Sequence, residues 1–397
     1  MNSTPTAPRS TPRSDSYWNG AAAGLFALSL GVASVVIPLK ALEIGYDATQ
    51  IGLAVAVSAL AQVAARGVVG TWVRRLPART FVVGAGLLSG ASCVLLVVSS
   101  EAPALMAAMV LQGGSRALLL IGCYGQVVLT TTSAASGLAS INTVTGVGLL
   151  VGPALAGVLT ELGSLDTALV VAAALGVLTA LPALLLLPVR PGPATAARRS
   201  AHGTPWRRRH GDGGNAAAAV AGAWAGLMAS HVPVLLAEQG QSPARIGLLV
   251  SVANAAALLG AAGAGLHGRR GGGQRAATVW LVRVAVTVTG LGIAATGVLS
   301  YSPVAVAGCL AAAGLGAGLL QTLGPVLAID GVEGASRSEA VATSAAFRAG
   351  AMFAAPVGAS LGAAVVPLGW ALVAAGLAMT GAVGAARAAH RGGRAQV

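Results

Sequence analysis

The long runs without a single charge constrain this chain more than any other feature. Between Asp15 and Lys40 lie 24 uncharged residues, between Asp47 and Arg66 lie 18, and between Arg79 and Glu101 lie 21. A helix needs roughly 20 mostly apolar residues to cross a hydrocarbon core of about 30 Å, so each run reads as one crossing. The next charge after Arg116 is Glu161, 44 uncharged residues on. At about 1.5 Å per residue that is twice the core, so the run must fold back, and Thr130-Thr131-Thr132-Ser133 is where it turns. With Ala102 to Gln126 as the fourth crossing this yields a fifth, and the 23 residues between Asp166 and Arg190 are the sixth.

Residues 190–215 break the pattern with Pro, Gly and six arginines and no apolar periodicity, which reads as a linker between halves. Beyond it, 25 uncharged residues precede Glu238 and 23 separate Arg245 from Arg269. The 46 between Arg283 and Asp330 turn at Tyr301-Ser302-Pro303, and the 38 between Arg348 and Arg387 turn near Pro367-Leu368-Gly369. The expected fold class is therefore all-α integral membrane, with twelve transmembrane helices in two six-helix bundles. The expected organisation is a tail 1–17, a first half 18–189, the linker 190–215, a second half 216–387 and a tail 388–397.

A formal charge of +13 would suggest a nucleic-acid binder if the arginines shared one folded surface. They lie instead in short clusters between apolar runs, as loops at a membrane face do. Lys and Arg stay on the cytoplasmic side. With the N-terminus inside, 19 of the 24 basic residues fall in cytoplasmic segments, two (Lys40, Arg245) outside, and three (Arg116, Arg283, Arg348) within crossings. Both termini and the linker are expected to be cytoplasmic, in a multi-pass protein of the inner membrane. Cys93, Cys123 and Cys309 stand singly, with no metal-like or redox spacing, and read as buried apolar side chains. The chain carries no Ser/His/Asp set, no HExxH and no P-loop, so neither enzyme chemistry nor an ATP-driven pump is expected, and no cofactor or metal.

The second and eighth crossings repeat at an offset of 195 residues: Ile51, Gly52, Leu53, Val55 and Val57 match Ile246, Gly247, Leu248, Val250 and Val252. The register runs on into the loops, where Gly70, Arg74 and Arg75 match Gly265, Arg269 and Arg270. Two homologous halves about a midplane site are the architecture of rocking transporters.

With six plus six crossings and a basic linker, the chain resembles the major facilitator superfamily over nearly its whole length. That family's loop after the second crossing usually reads Gly-x-x-x-Asp-Arg-x-Gly-Arg-Arg. Gly70, Arg75 and Arg79 stand at matching positions, while Arg74 replaces the Asp and Pro77 the Gly, so the acidic half of the family's latch is missing. The fifth crossing, Gly148 to Gly157 with Gly152-Pro153 inside it, is similar to the family's exporter motif Gly-x-x-x-Gly-Pro-x-x-Gly-Gly, departing only at Ala156. Small residues four apart let helices approach closely, and Pro153 removes one backbone hydrogen bond and permits a bend. The resemblance implies a monomeric secondary transporter of a small organic solute, working by alternating access. Export is favoured by the fifth-crossing motif, with import or facilitation of an anionic metabolite and a non-transporting sensor as the alternatives. The motif also suggests a coupling proton, although all eleven acids lie in loops or at the ends of crossings, where no buried carboxylate relay can form.

Within the crossings a few polar residues stand out. Arg116 sits near the midplane of the fourth crossing, where an arginine costs about 2.5 to 3.5 kcal/mol and usually faces a cavity. It is expected to meet an anionic or strongly polar group of the solute, the alternative being a structural bond to Gln62, Gln112 or backbone carbonyls. The resemblance places Arg348 on a cavity-lining crossing. Gln62, Gln112, Asn254 and Gln321 are further candidates for the solute path, or else bonds between helices. Arg283 is expected to snorkel to the cytoplasmic surface. His231, beside Pro233, reads either as a proton relay or as a local hydrogen bond.

Overall fold

The computed structural model describes residues 13–72, 75–131, 134–189, 212–269, 275–329 and 336–392, and among them no strand occurs. The first six-helix bundle comprises α1 (Arg13–Glu43), α2 (Ala48–Trp72), α3 (Ala78–Val98), α4 (Ala102–Thr130), α5 (Ala134–Leu162) and α6 (Leu165–Leu178, continued by Ala180–Leu184). The second comprises α7 (Asp212–Met228 and His231–Glu238), α8 (Pro243–Arg269), α9 (Arg275–Val298), α10 (Pro303–Ile329), α11 (Ser336–Ala363) and α12 (Leu368–Gly392). Nine of these are long and apolar enough to cross a membrane, and ten with the two pieces of α7, bent by 41°, taken as one crossing. Helices α11 and α12 complete the twelve. Helix α12 is apolar over its described stretch Leu368–Gly381, which is short of a full crossing, and α11 falls short on apolarity because a ruler of missing charges passes Ala, Gly and Ser, which add little hydrophobicity. The turns at Thr131, at Tyr301-Ser302 and before Leu368 stand where the sequence places them.

Several boundaries differ from those read from charge. Helix α1 starts inside the expected tail at Arg13, α7 starts inside the expected linker at Asp212, and α12 runs on to Gly392. Charge marks where the bilayer ends, and a helix continues past that point wherever its backbone bonds can. Arg66, which bounds the second uncharged run, lies six residues inside α2. The remainder of the linker, residues 190–211, lies outside the described residues, as does Arg74.

Call the end of the bundle where α1 and α7 begin the linker face, and the other the opposite face. The internal repeat becomes geometry at two places. Inside each half, a glycine of the first helix lies against the proline of the fifth: a methyl on Gly31 would stand 3.1 Å from Pro153 Cδ, and one on Gly226, at the same offset of 195, 2.9 Å from Pro356 Cδ. Between the halves, Gly52 near the start of α2 abuts Ser360 and His231, while its repeat partner Gly247 near the start of α8 abuts the Pro153 carbonyl. The two seams, α2 with α11 and α5 with α8, are thus related by a pseudo-two-fold axis, and both are closed at the opposite face. Toward the linker face Asn142 and Arg348 are exposed although each lies well inside its helix, because a cleft between the halves opens there. Exposed Leu and Val side chains such as Leu162, Leu259 and Val304 cover the outer surface, as a lipid-facing surface requires.

Candidate functional site

Arg116 lies 14 residues from each end of α4. Helix α4 can bring it to the centre because Gly113, one turn earlier, has no side chain: a methyl there would overlap the Ser58 carbonyl and stand 2.8 Å from Ala61 Cβ on α2. Beside the guanidinium is a cavity of about 20 Å³ lined by Ser34 and Pro38 of α1, Ser58 of α2, Gln112 of α4 and Ala229 at the break in α7, among others. That is room for about one water molecule, so in this conformation it admits a functional group rather than a whole solute.

Three buried polar atoms at this cavity have no hydrogen-bond partner: Arg116 Nε, Ser58 Oγ and Gln112 Oε1. Gln112 is held from behind. Its Nε2 donates to Ser92 Oγ at 2.8 Å, and that hydroxyl donates to the Ser89 carbonyl at 2.7 Å, which leaves the amide oxygen as the unused end. Among the described residues the ion pairs are Lys40–Glu43 and Lys40–Asp166 at the opposite face, so no carboxylate pairs with Arg116. Buried polar groups are normally satisfied, and an unpaired one costs about 1–3 kcal/mol. A donor, a hydroxyl and an acceptor are thus left open together around one space.

The other expected positions divide. Gln62 is buried on α2 where Gly113 crosses it, and does not line the cavity. Gln321 accepts from Arg348 Nη2 at 3.5 Å, a long and weak bond in the linker-side cleft. Arg348 is also within electrostatic reach of Tyr124 and of Arg66, from the other half, and Tyr124 Oη donates to Asn142 Oδ1 at 2.6 Å. The cleft therefore carries two arginines that no carboxylate among the described residues pairs. Asn254 stands elsewhere: its Nδ2 donates to the Leu149 carbonyl at 2.9 Å across the α5–α8 seam.

The fifth-helix glycines serve two interfaces. Gly148 and Gly152 pack on α1, whereas a methyl on Gly157 would stand 2.7 Å from Ala244 Cα of α8. Gly70 lies in the last turn of α2, Arg75 is exposed in the following turn, and Arg79 is half-buried in the first turn of α3. Arg283 is exposed on the outside of α9.

A family model described as Major Facilitator Superfamily matches residues 20–356. The chain belongs to the Major Facilitator Superfamily. It is a multi-pass membrane protein of a transporter family, as its span pattern requires. Solved structures of this superfamily share its fold. A bacterial homologue of the human lysosomal transporter Spinster, inward-facing and occupied, aligns with a TM-score of 0.73 at 14% identity, covering 95% of this chain and 96% of that one. The nucleoside transporter NupG aligns with a TM-score of 0.73 at 12% identity over 94% and 98% of the two chains. A POT family transporter in complex with a thioalcohol-conjugated peptide gives 0.72 at 12% identity over 93% and 94%. No curated protein matches the sequence.

Sequence reasoning missed Ser34, Ser58, Arg66, Tyr124 and Asn142. Serines are too common in membrane helices to carry a signal. Arg66 did carry one: a charge followed by Gly67, Val68 and Val69 sits before the end of the apolar run, not at it.

Proposed function

We propose that this superfamily member is a secondary transporter that moves a small organic solute bearing an anionic or strongly polar group by alternating access, and that it exports. The reading is carried by Arg116 Nε, Ser58 Oγ and Gln112 Oε1, buried, unpartnered and gathered at one cavity, with no carboxylate among the described residues paired with the arginine. An arginine's planar fork of donors suits carboxylate, phosphate and carbonyl oxygens. Arg66 and Arg348 form a positively charged entry from the linker face, which the basic linker identifies with the cytoplasm. The residues assigned to the solute path are Arg116, Gln112, Ser58, Arg348 and Gln321, with Gly148, Gly152, Pro153, Gly157 and the loop of Gly70, Arg75 and Arg79 serving the conformational change. Export draws its support from the fifth-helix motif. Import of an anionic metabolite would use the same arginines in the reverse sense.

Accumulation of a panel of small organic acids and neutral amphiphiles, in cells with and without the protein and with an uncoupler, tests this. Lower accumulation of at least one acid in expressing cells, lost in Arg116→Ala, is expected. Higher accumulation would turn the direction to import, and no change for any compound would overturn the transport reading.

A further inference from the structure

The break in α7 joins the cavity to the closed seam. Ala229, on the near side of the break, lines the Arg116 cavity, and His231, two residues on, is completely buried where α7, α11 and α2 meet. Its ring is held at both nitrogens. Ser230 Oγ stands 2.8 Å from Nδ1, and Ser360 Oγ of α11 3.2 Å from Nε2. The Ser230 hydroxyl already donates its one proton to the Gly226 carbonyl at 2.8 Å, so toward the ring it can only accept. Nδ1 therefore carries the hydrogen, and Nε2 is a lone pair that accepts from Ser360. The backbone of that same Ser360 closes the seam, its carbonyl accepting from Thr49 Oγ1 of α2 at 3.2 Å, and Gly52 fits against both Ser360 and the imidazole.

A second proton has no place in this arrangement. It would enter at Nε2, opposite a hydroxyl now turned to donate, and would put a charge in a buried seam. The charged groups on the surrounding helices are otherwise occupied or distant. On α1, Lys40 pairs with Glu43 and Asp166; at the start of α2, Asp47 accepts from the Gln50 amide. Glu238 lies about two turns along α7, Arg245 is in the first turn of α8, and Arg348 is three turns from Ser360 on α11. None of them hydrogen-bonds to His231. Burying an unpaired charge is costly, whereas water would stabilise it as soon as the seam opened.

We propose that His231 is a proton-binding site coupled to the gate at the opposite face: its imidazole is neutral while the α2–α11 seam is closed and takes a proton at Nε2 when the seam opens to water. The proton comes from water of that face and returns to it before the seam closes. This rests on the reading of the chain as an alternating-access transporter, and it gives the seam a titratable group to which no carboxylate among the described residues hydrogen-bonds.

The test reads conformation without any cargo. Spin labels on cysteines introduced at Ser100 and Val365, exposed at the opposite face on different halves, report the gate in lipid nanodiscs, with Cys93, Cys123 and Cys309 replaced by alanine. Lowering the pH from 8.5 to 5.5 is expected to shift the population toward the longer distance, by up to about tenfold per pH unit for one coupled proton. His231→Gln should lose that dependence. Ser360→Ala, which keeps the imidazole but removes its partner in the closed seam, should move the midpoint to higher pH. A wild-type distribution indifferent to pH, or a shift that persists in His231→Gln or stays at the same midpoint in Ser360→Ala, overturns the proposal. Because no solute is present, such a result leaves the transport reading standing, and a failure of the accumulation assay leaves this measurement valid.

Discussion

The side-chain amide of Asn254 donates to the backbone carbonyl of Leu149 across the contact between the two halves, at 2.9 Å. In a regular helix that carbonyl would accept from the residue four positions on, which here is Pro153 and has no N–H. The proline of the fifth helix thus frees one acceptor, and a residue of the opposite half takes it up. A second bond follows immediately, the Ala154 N–H donating to Ser251 Oγ at 3.0 Å. The fifth-helix motif is in this way hydrogen-bonded to the opposite half.

Asn254→Ala is therefore expected to destabilise the closed α5–α8 seam by about 1 kcal/mol, since it strands the Leu149 carbonyl. Pro153→Ala restores an N–H at position 153, so the same Asn254 change should cost clearly less in that background. Denaturation of the four proteins in detergent gives the coupling as a double-mutant cycle. A coupling of zero would mean that Asn254 stabilises the seam in some other way.

Gly247 and its repeat partner Gly52 are each overlapped by any added carbon. Gly247→Val should hold the α5–α8 seam apart at the opposite face and reduce transport at normal membrane levels. The matching change Gly52→Val should do the same at α2–α11. Labelling of a cysteine introduced at Ala244 is the readout: increased reactivity in Gly247→Val is expected, and unchanged reactivity would place the seam elsewhere.

How much of this was legible beforehand depends on whether a feature is written in composition or in contact. Crossings are written in composition, because charge is excluded from hydrocarbon wherever it sits, and so the turns around Thr131 and before Pro303 could be placed to within a few residues. The repeat was visible as matched residues, and its meaning, that Gly52 and Gly247 each lie tightly against the other half, needed the fold. Arg116 could be singled out because its cost does not depend on its neighbours, and its contact with a solute is a proposal. Asn254 was not legible, since a membrane asparagine facing a solute path and one facing an orphaned carbonyl look alike in sequence. His231 required its partners too: only the Ser230 bond to Gly226 fixes which ring nitrogen carries the hydrogen.

Topology follows from the basic residues. Reporters fused at residue 205 and at residue 394 should both score cytoplasmic, because 19 basic residues lie in segments on that side and two on the other. Counting Arg66 inside α2, as the structure requires, leaves 18 to two, which does not alter the expectation. A periplasmic signal at one site alone would demand an odd number of crossings, and at both would invert the protein and reverse the proposed direction of transport.

Arg116 carries the most specific expectation. A guanidinium at the middle of a crossing is tolerated when it faces a cavity, and here the cavity is present, with Nε unpartnered and no carboxylate pairing with the arginine among the described residues. If the site recognises an anionic group, the guanidinium contributes both charge and a planar pair of donors. Arg116→Lys retains the charge and loses the fork, whereas Arg116→Ala loses both. Transport is expected to fall in the order wild type, Lys, Ala, at roughly constant membrane level, with about a tenfold or larger loss for Arg116→Ala, equivalent to one charge-assisted hydrogen bond of about 1.5–3 kcal/mol. The loss should be greatest for anionic compounds and small for neutral ones of the same size. Gln112→Leu, which removes the unpaired acceptor while keeping most of the volume, should instead weaken compounds that present a hydrogen-bond donor. Initial rates in membrane vesicles across matched acid and amide pairs separate the two effects. Should Arg116→Ala transport acids and amides at wild-type rates, the arginine would belong to the packing of α4 against α1 and α2, and recognition would have to be sought at Arg66 and Arg348 in the linker-side cleft.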